Sequence, residues 1–225
     1  MPPRAPGRLL TIVAALFVTS LLTANIIAVK LITVAGVVLP AGVVIFPLSY
    51  LFGDILTEVY GYAETRRVIW LGFFCNLLMV VAIVIGGALP SAGFWTGQAA
   101  YEAILGFAPR LLGASFVAYL IGEFANSYVL AKLKIATSGR WLWTRTVSST
   151  VIGQGLDSAI FVVLAFIGTG VPGLVGVILA QWVFKSAYEI IATPLTYLVV
   201  NYLKRVEGVD IFDRDTNFSP IVLNG

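Results

Sequence analysis

Six apolar segments of about twenty residues or more dominate this chain and limit what it can fold into. They cover residues 9–29, 39–59, 68–89, 111–131, 147–167 and 174–203. A helix of about 20 apolar residues crosses the hydrocarbon core of a bilayer. Only 11% of the residues are charged, against about 25% in soluble domains. The sequence predicts an all-α polytopic membrane protein, with a six-helix domain over residues 1–205 and a tail over 206–225.

The distribution of positive charge predicts the orientation of these helices, because loops rich in lysine and arginine stay in the cytoplasm. One side of the predicted bundle carries most of these residues: Arg4, Arg8, Arg66, Arg67, Lys132, Lys134, Arg140, Arg145, Lys204, Arg205 and Arg214. The opposite side carries Lys30 and Arg110, both at helix edges. Both termini are therefore predicted to be cytoplasmic.

The second span is irregular in its outer half, where Pro40, Gly42 and Pro47 interrupt the apolar run. Each proline disfavours helical geometry at the residue before it. We expect a broken or late-starting helix between Thr33 and Pro47, with a simple kink as the alternative. Non-helical backbone at this depth requires cover from protein or a water-filled cavity.

Ionisable residues lie near the middle of three spans: Glu123, Asp157, Lys185 and Glu189. A charge at this depth costs about 2.5–3.5 kcal/mol on insertion scales, so a functional polar site is the first hypothesis. Amides accompany these charges, and most share a helical face with one of them at a spacing of three or four residues; they are Asn76, Asn126, Gln154 and Gln181. The pattern predicts one substrate-binding site at the middle of the membrane.

The central charges do not cancel, since three carboxylates accompany Lys185. Burial and nearby like charge both favour a neutral carboxylate, which suggests coupling to protons or another cation. Asp54 and Glu58, near the cytoplasmic end of the second span, are candidates for coupling or gating together with Asp157. The alternative is structural: Lys185 and Glu189 could pair on one helix, and the two acidic residues of the second span could reach water.

Aromatic side chains lie within a turn or two of these polar positions. Tyr50 and Trp182 could stack on a flat heterocycle, or they could simply pack against neighbouring helices or lipid. Both are kept as candidate substrate-binding residues.

The residue inventory excludes several classes of function. The chain has no histidine and one cysteine, Cys75, so an internal disulfide and a Ser-His-Asp centre are impossible, and no zinc site or cofactor is expected. A net charge of +3 gives no reason to expect nucleic-acid binding. An intramembrane enzyme using Ser158 with Lys185 remains a weaker alternative, as does an assembly protein.

Three stretches resemble a known family. Residues 46–62 read Phe-Pro-Leu-Ser-Tyr-Leu-Phe-Gly-Asp-Ile-Leu-Thr-Glu-Val-Tyr-Gly-Tyr, and residues 122–127 read Gly-Glu-Phe-Ala-Asn-Ser. Residues 210–220 read Asp-Ile-Phe-Asp-Arg-Asp-Thr-Asn-Phe-Ser-Pro. Together they are similar to the queuosine precursor transporter family, also called the vitamin uptake transporter family.

The resemblance implies a secondary transporter in the bacterial inner membrane that imports a deazaguanine base, with the cyano form expected ahead of the aminomethyl form. Glu123 or Asp157 would accept hydrogen bonds from the base, amides would meet its carbonyl and ring nitrogens, and Lys185 would donate to a nitrile or carbonyl. The tail is expected to dock on the bundle. A substrate-binding subunit energised by a separate ATPase is the alternative, and a homodimer is an open possibility.

Overall fold

A computed structural model describes residues 8–34, 37–106, 109–168 and 173–222. The elements in chain order are α1 Arg8–Ile27, β1 Leu31–Val34, β2 Val37–Pro40, a 3₁₀ helix Ala41–Val44, α2 Phe46–Tyr60, α3 Tyr62–Ala88, α4 Gln98–Leu105, α5 Pro109–Ala136, α6 Leu142–Phe166 and α7 Leu174–Glu207. Six of the helical segments in these ranges are long and apolar enough to cross a membrane. The predicted all-α polytopic fold is confirmed.

Helix α2 forms the centre of the bundle. It packs against α1, α3, α5 and α7, while α6 packs between α5 and α7. Of the apolar stretch with which each helix would cross the membrane, 72% is buried inside the protein in Ala41–Tyr60, against 17% in Leu174–Glu207. Polar residues on α2 are therefore held among protein groups, whereas the exposed apolar side chains of α7 suit contact with lipid.

The part of the chain that leads into α2 is not a continuous helix. Strands β1 and β2 form an antiparallel hairpin in which Leu31 pairs with Pro40, and the 3₁₀ helix follows directly. Neither strand was predicted. Helix α2 begins at Phe46, and Pro47 lies in its first turn, where its missing N–H is not needed.

Several helix boundaries extend beyond the apolar segments. Helix α3 begins at Tyr62, α5 continues to Ala136, and α7 runs to Glu207 with Pro194 inside it. The backbone hydrogen bonds of these helices continue past the apolar segments, so basic residues that flank the segments lie within helical turns. The short helix α4 was also missed, since eight residues give too little periodic signal.

The tail after α7 docks against the ends of α2, α3 and α5. The Asp213 carboxylate accepts two hydrogen bonds from the Tyr62 backbone N–H, at 2.9 and 3.1 Å. The Arg66 guanidinium donates to the carbonyls of Asn217 and Ser219, at 2.7 and 2.8 Å. These contacts hold the tail in one position, as the expectation of docking requires.

Candidate functional site

Close packing of α2, α5 and α6 brings the central polar residues together. Glycines at 53, 122 and 153 permit the approach: a Cβ at Gly53 would lie 3.0 Å from the Glu123 carboxylate, and a Cβ at Gly153 would lie 2.7 Å from the Asn126 Cβ. The residue after each glycine is polar and fully buried: Asp54, Glu123 and Gln154. Three helices thus contribute polar side chains to one interior region.

Glu123 is one of the buried groups of this region whose polar atoms have no partner in the ranges that the structure describes. Its side chain has 0% exposure, and neither carboxylate oxygen has a hydrogen-bond partner within the described residues. Its charge interacts with those of Asp157 and Glu189. A buried polar group without a partner costs about 1–3 kcal/mol, and more when charged, so the hydrogen-bonding capacity of Glu123 is unused among the described residues.

Asp157 and Lys185 form an ion pair between α6 and α7. Lys185 Nζ lies 2.5 Å from Asp157 Oδ2 and 4.5 Å from the centre of the Phe46 ring. The alternative in which Lys185 pairs with Glu189 on its own helix is wrong, because Lys185 contacts Asp157 on α6. Glu189 is buried, and its two oxygens have no hydrogen-bond partner in the described ranges.

More unused hydrogen-bonding capacity accompanies Glu123. The Gln154 amide, the Tyr50 hydroxyl and the Ser158 hydroxyl are all buried, and none has a partner in the part of the chain that the structure describes. Tyr50 contacts Gly122, one residue before Glu123. This part of the interior can therefore offer both donors and acceptors to a polar ligand.

Asp54 belongs to the same interior region. The alternative that it reaches water is wrong, since its exposure is 0%. Asn126 Nδ2 donates to Asp54 Oδ1 at 2.7 Å, and the carboxylate also interacts with the charges of Glu189, Glu123 and Glu58. The central position of α2 explains the burial, because four helices surround it.

Glu58 lies one turn beyond Asp54 on α2 and is also cut off from water. Its carboxylate oxygen Oε1 lies 2.7 Å from Lys204, 2.8 Å from Arg145 and 3.8 Å from Lys134. Three helices thus supply cations to one carboxylate of α2. This network was not predicted from the sequence, because the basic residues were used only to assign orientation. The carboxylate of Glu58 within an otherwise apolar helix could have indicated that cations lie beside it.

Asp210 of the tail extends this network beyond the helices. It lies 2.5 Å from Lys134 and 2.9 Å from Lys204. Burial opposes its ionisation, but hydrogen bonds from the two lysines outweigh that effect and hold the pKa of the Asp210 carboxyl below its ordinary value. The tail is therefore tied electrostatically to the same cations as Glu58.

Other predicted site residues have different partners. Asn76 accepts a hydrogen bond from Asn25 at 3.1 Å, which links α3 to α1. The Trp182 indole N–H donates to the Val151 carbonyl at 2.8 Å, which links α7 to α6. Gln181 is buried on α7, one turn from Lys185.

Six spanning helices around a water-excluded polar region define an integral membrane protein of the transport class, because ionisable groups inside a bundle mark pathways for substrates or ions. A family profile described as "Putative vitamin uptake transporter" matches residues 40–199. The chain belongs to this family, and the family assignment made from the sequence is confirmed.

Known relatives carry related names. The chain is 32% identical over 178 residues to a "Probable queuosine precursor transporter" of Bacillus subtilis, covering 77% of each protein. It is 30% identical over 124 residues to a "Queuosine precursor transporter" of Escherichia coli, covering 54% of this chain and 52% of that protein. No solved structure matches the chain. The chain is therefore a multi-pass transporter of the bacterial inner membrane, and not an enzyme.

Proposed function

We propose that this transporter imports a queuosine precursor, a deazaguanine base, and that the Glu123 carboxylate binds the base through hydrogen bonds. The names of the relatives support the substrate class. The observation that carries the assignment is the Glu123 carboxylate, which is fully buried and has no hydrogen-bond partner for either oxygen among the described residues.

The chemistry of a guanine-like edge complements this carboxylate. Its ring N–H and exocyclic amine lie side by side, and one carboxylate can accept from both. Hydrogen bonds to an ionised acceptor are about twice as strong as those between neutral groups. The adjacent base carbonyl needs a donor, which the unpartnered Gln154 amide supplies. We assign base recognition to Glu123 and Gln154, with the Tyr50 hydroxyl as a further donor.

We propose the cyano form ahead of the aminomethyl form. A nitrile is neutral and accepts hydrogen bonds, whereas an aminomethyl group carries positive charge. Lys185 is a buried cation near the residues proposed to bind the base. Its Nζ lies 2.5 Å from Asp157 Oδ2. A Lys185 N–H would donate to the nitrile nitrogen, whereas an aminomethyl ammonium offers no acceptor to this lysine.

Transport is proposed to be coupled to protons or another cation. Four buried carboxylates occupy the centre of the bundle, on Asp54, Glu123, Asp157 and Glu189. Lys185 neutralises Asp157. A cation that moves with the base would offset part of the remaining negative charge, which is costly in a water-excluded interior.

The test is uptake of the cyano-deazaguanine base by cells that cannot synthesise it, with this chain as the only added gene. The native chain is expected to support uptake, and Glu123→Gln is expected to reduce it by about 10- to 100-fold, the equivalent of about 1.5–3 kcal/mol for a charged hydrogen bond. Glu64→Gln is the matched control, because Glu64 is a partly exposed carboxylate paired with Arg67.

Each outcome at equal expression is decisive. Equal uptake by the native chain and Glu123→Gln would move base recognition away from Glu123. Absence of uptake by the native chain would contradict the proposed import by this chain alone. Uptake that appears only when an ATPase partner is added would establish the alternative, a binding subunit of an energised importer.

A further inference from the structure

Two carboxylates outside the group proposed to bind the base lie on α2 and α7, which pack against each other. Asp54 on α2 and Glu189 on α7 are both buried, and their charges interact. Asp54 Oδ2 and both Glu189 oxygens have no hydrogen-bond partner among residues 8–34, 37–106, 109–168 and 173–222. Neither Asp54 nor Glu189 takes part in the proposed binding of the base.

The neighbouring cations are already bound to other carboxylates. Lys185 lies on the same helix as Glu189, one turn away, but contacts Asp157. Arg145 and Lys204 contact Glu58, and Lys134 contacts Asp210. In the described spans, no ion pair involves Asp54 or Glu189.

We propose that Asp54 and Glu189 together bind the single proton that is transported with the substrate. This inference rests on the proposed import function and adds that the coupling ion is a proton and that these two residues bind it. With one proton bound, the two carboxyl groups together carry one negative charge in place of two, which lowers the cost of burying them. Two interacting sites of this kind take up and release protons as a pair.

The surrounding charges favour a bound proton. Asp54 is faced by Glu58 and Tyr50 of its own helix and by Glu123 of α5, while Asn126 donates to one of its oxygens. Further titratable groups on the packed elements include Tyr62 and Arg66 on α3, Tyr119 and Lys134 on α5, Arg145 and Asp157 on α6, and Lys185 and Lys204 on α7. The carboxylates nearest the pair add negative charge, so full ionisation of the pair is unfavourable.

Helix α2 also provides a route from the pair to the cytoplasm. Glu58 follows Asp54 at a spacing of four residues and therefore lies on the same face. Its partner Lys204 also contacts Asp210, whose side chain is 44% exposed. When the cations that contact Glu58 move away from it, a proton released from Asp54 and Glu189 would pass this carboxylate and reach water beside Asp210.

The first test needs no substrate. The infrared spectrum of the purified protein in lipid shows the C=O stretch of protonated carboxyl groups. The double variant Asp54→Asn with Glu189→Gln is expected to lose the intensity of one such group, while Glu64→Gln is expected to match the native protein. Identical bands in the double variant and the native protein would overturn the proposal.

The second test separates exchange from accumulation in vesicles. Exchange of labelled for unlabelled base requires no net movement of protons, whereas accumulation requires a pH gradient. Asp54→Asn keeps an oxygen acceptor for Asn126 and is expected to retain exchange and lose accumulation.

Three results of the vesicle assay would contradict the proton pair: native accumulation that follows sodium and not pH, accumulation by Asp54→Asn at the native level, or loss of both exchange and accumulation in Asp54→Asn. A native chain that neither exchanges nor accumulates the base would contradict the proposed substrate, while the infrared result would still decide the proton pair.

Discussion

Replacing Glu58 by alanine tests how strongly the ion network around this carboxylate holds the bundle together. The change removes a carboxylate that contacts Arg145 at 2.8 Å and Lys204 at 2.7 Å. Lys204 keeps Asp210 as a partner, so the main loss falls on Arg145, which is 1% exposed. Removing one partner of a buried pair costs about 3–5 kcal/mol, and the retained contacts place this case near the lower value.

Thermal unfolding of purified protein in detergent, followed by helical circular dichroism, measures the effect. For a chain of about this length, each kcal/mol shifts the midpoint by about 2–4 °C, so Glu58→Ala is expected to lower it by about 6–12 °C. Glu58→Gln keeps the shape and one acceptor, and is expected to fall between Glu58→Ala and the native protein.

The control is Glu64→Ala, since Glu64 pairs with Arg67 at 2.6 Å with both side chains partly exposed. A surface pair contributes about 0–1 kcal/mol, so this variant is expected to shift the midpoint by no more than about 4 °C. Equal shifts for Glu58→Ala and Glu64→Ala would refute the reasoning that burial gives the network its strength.

Three further predictions concern the tail and the close helix contacts. Because the pKa of Asp210 is lowered, attachment of the tail is stabilised above the ordinary value of about 3.9 and weakens as pH falls through the lowered pKa; Asp210→Asn is expected to remove this dependence of tail proteolysis on pH. Gly61→Ala is expected to lower the unfolding midpoint, because φ is +85° and its Cβ would lie 2.7 Å from Ile211. Gly113→Ala, whose Cβ would meet nothing within 4 Å, is the control. Gly122→Ala is expected to reduce base uptake by separating α5 from α6, while Gly113→Ala leaves uptake unchanged.

The sequence determined the number of membrane spans and placed the central charges within them. Both follow from local properties: an apolar run long enough to cross the bilayer, and a charged residue counted from its ends. Mid-span positions were therefore assigned correctly as interior for Glu123, Asp157 and Glu189, which are all buried. Short elements such as β1, β2 and α4 escaped prediction, because few residues carry too weak a periodic pattern.

Only the tertiary structure decided which charged groups meet. Lys185 pairs with Asp157 on another helix and not with Glu189 on its own, and Glu58 gathers cations from three helices. The burial of Asp54 likewise follows from the central place of α2. Spacing along one helix fixes which side chains share a face, but partners across helices depend on how the helices rotate and slide against each other as they pack.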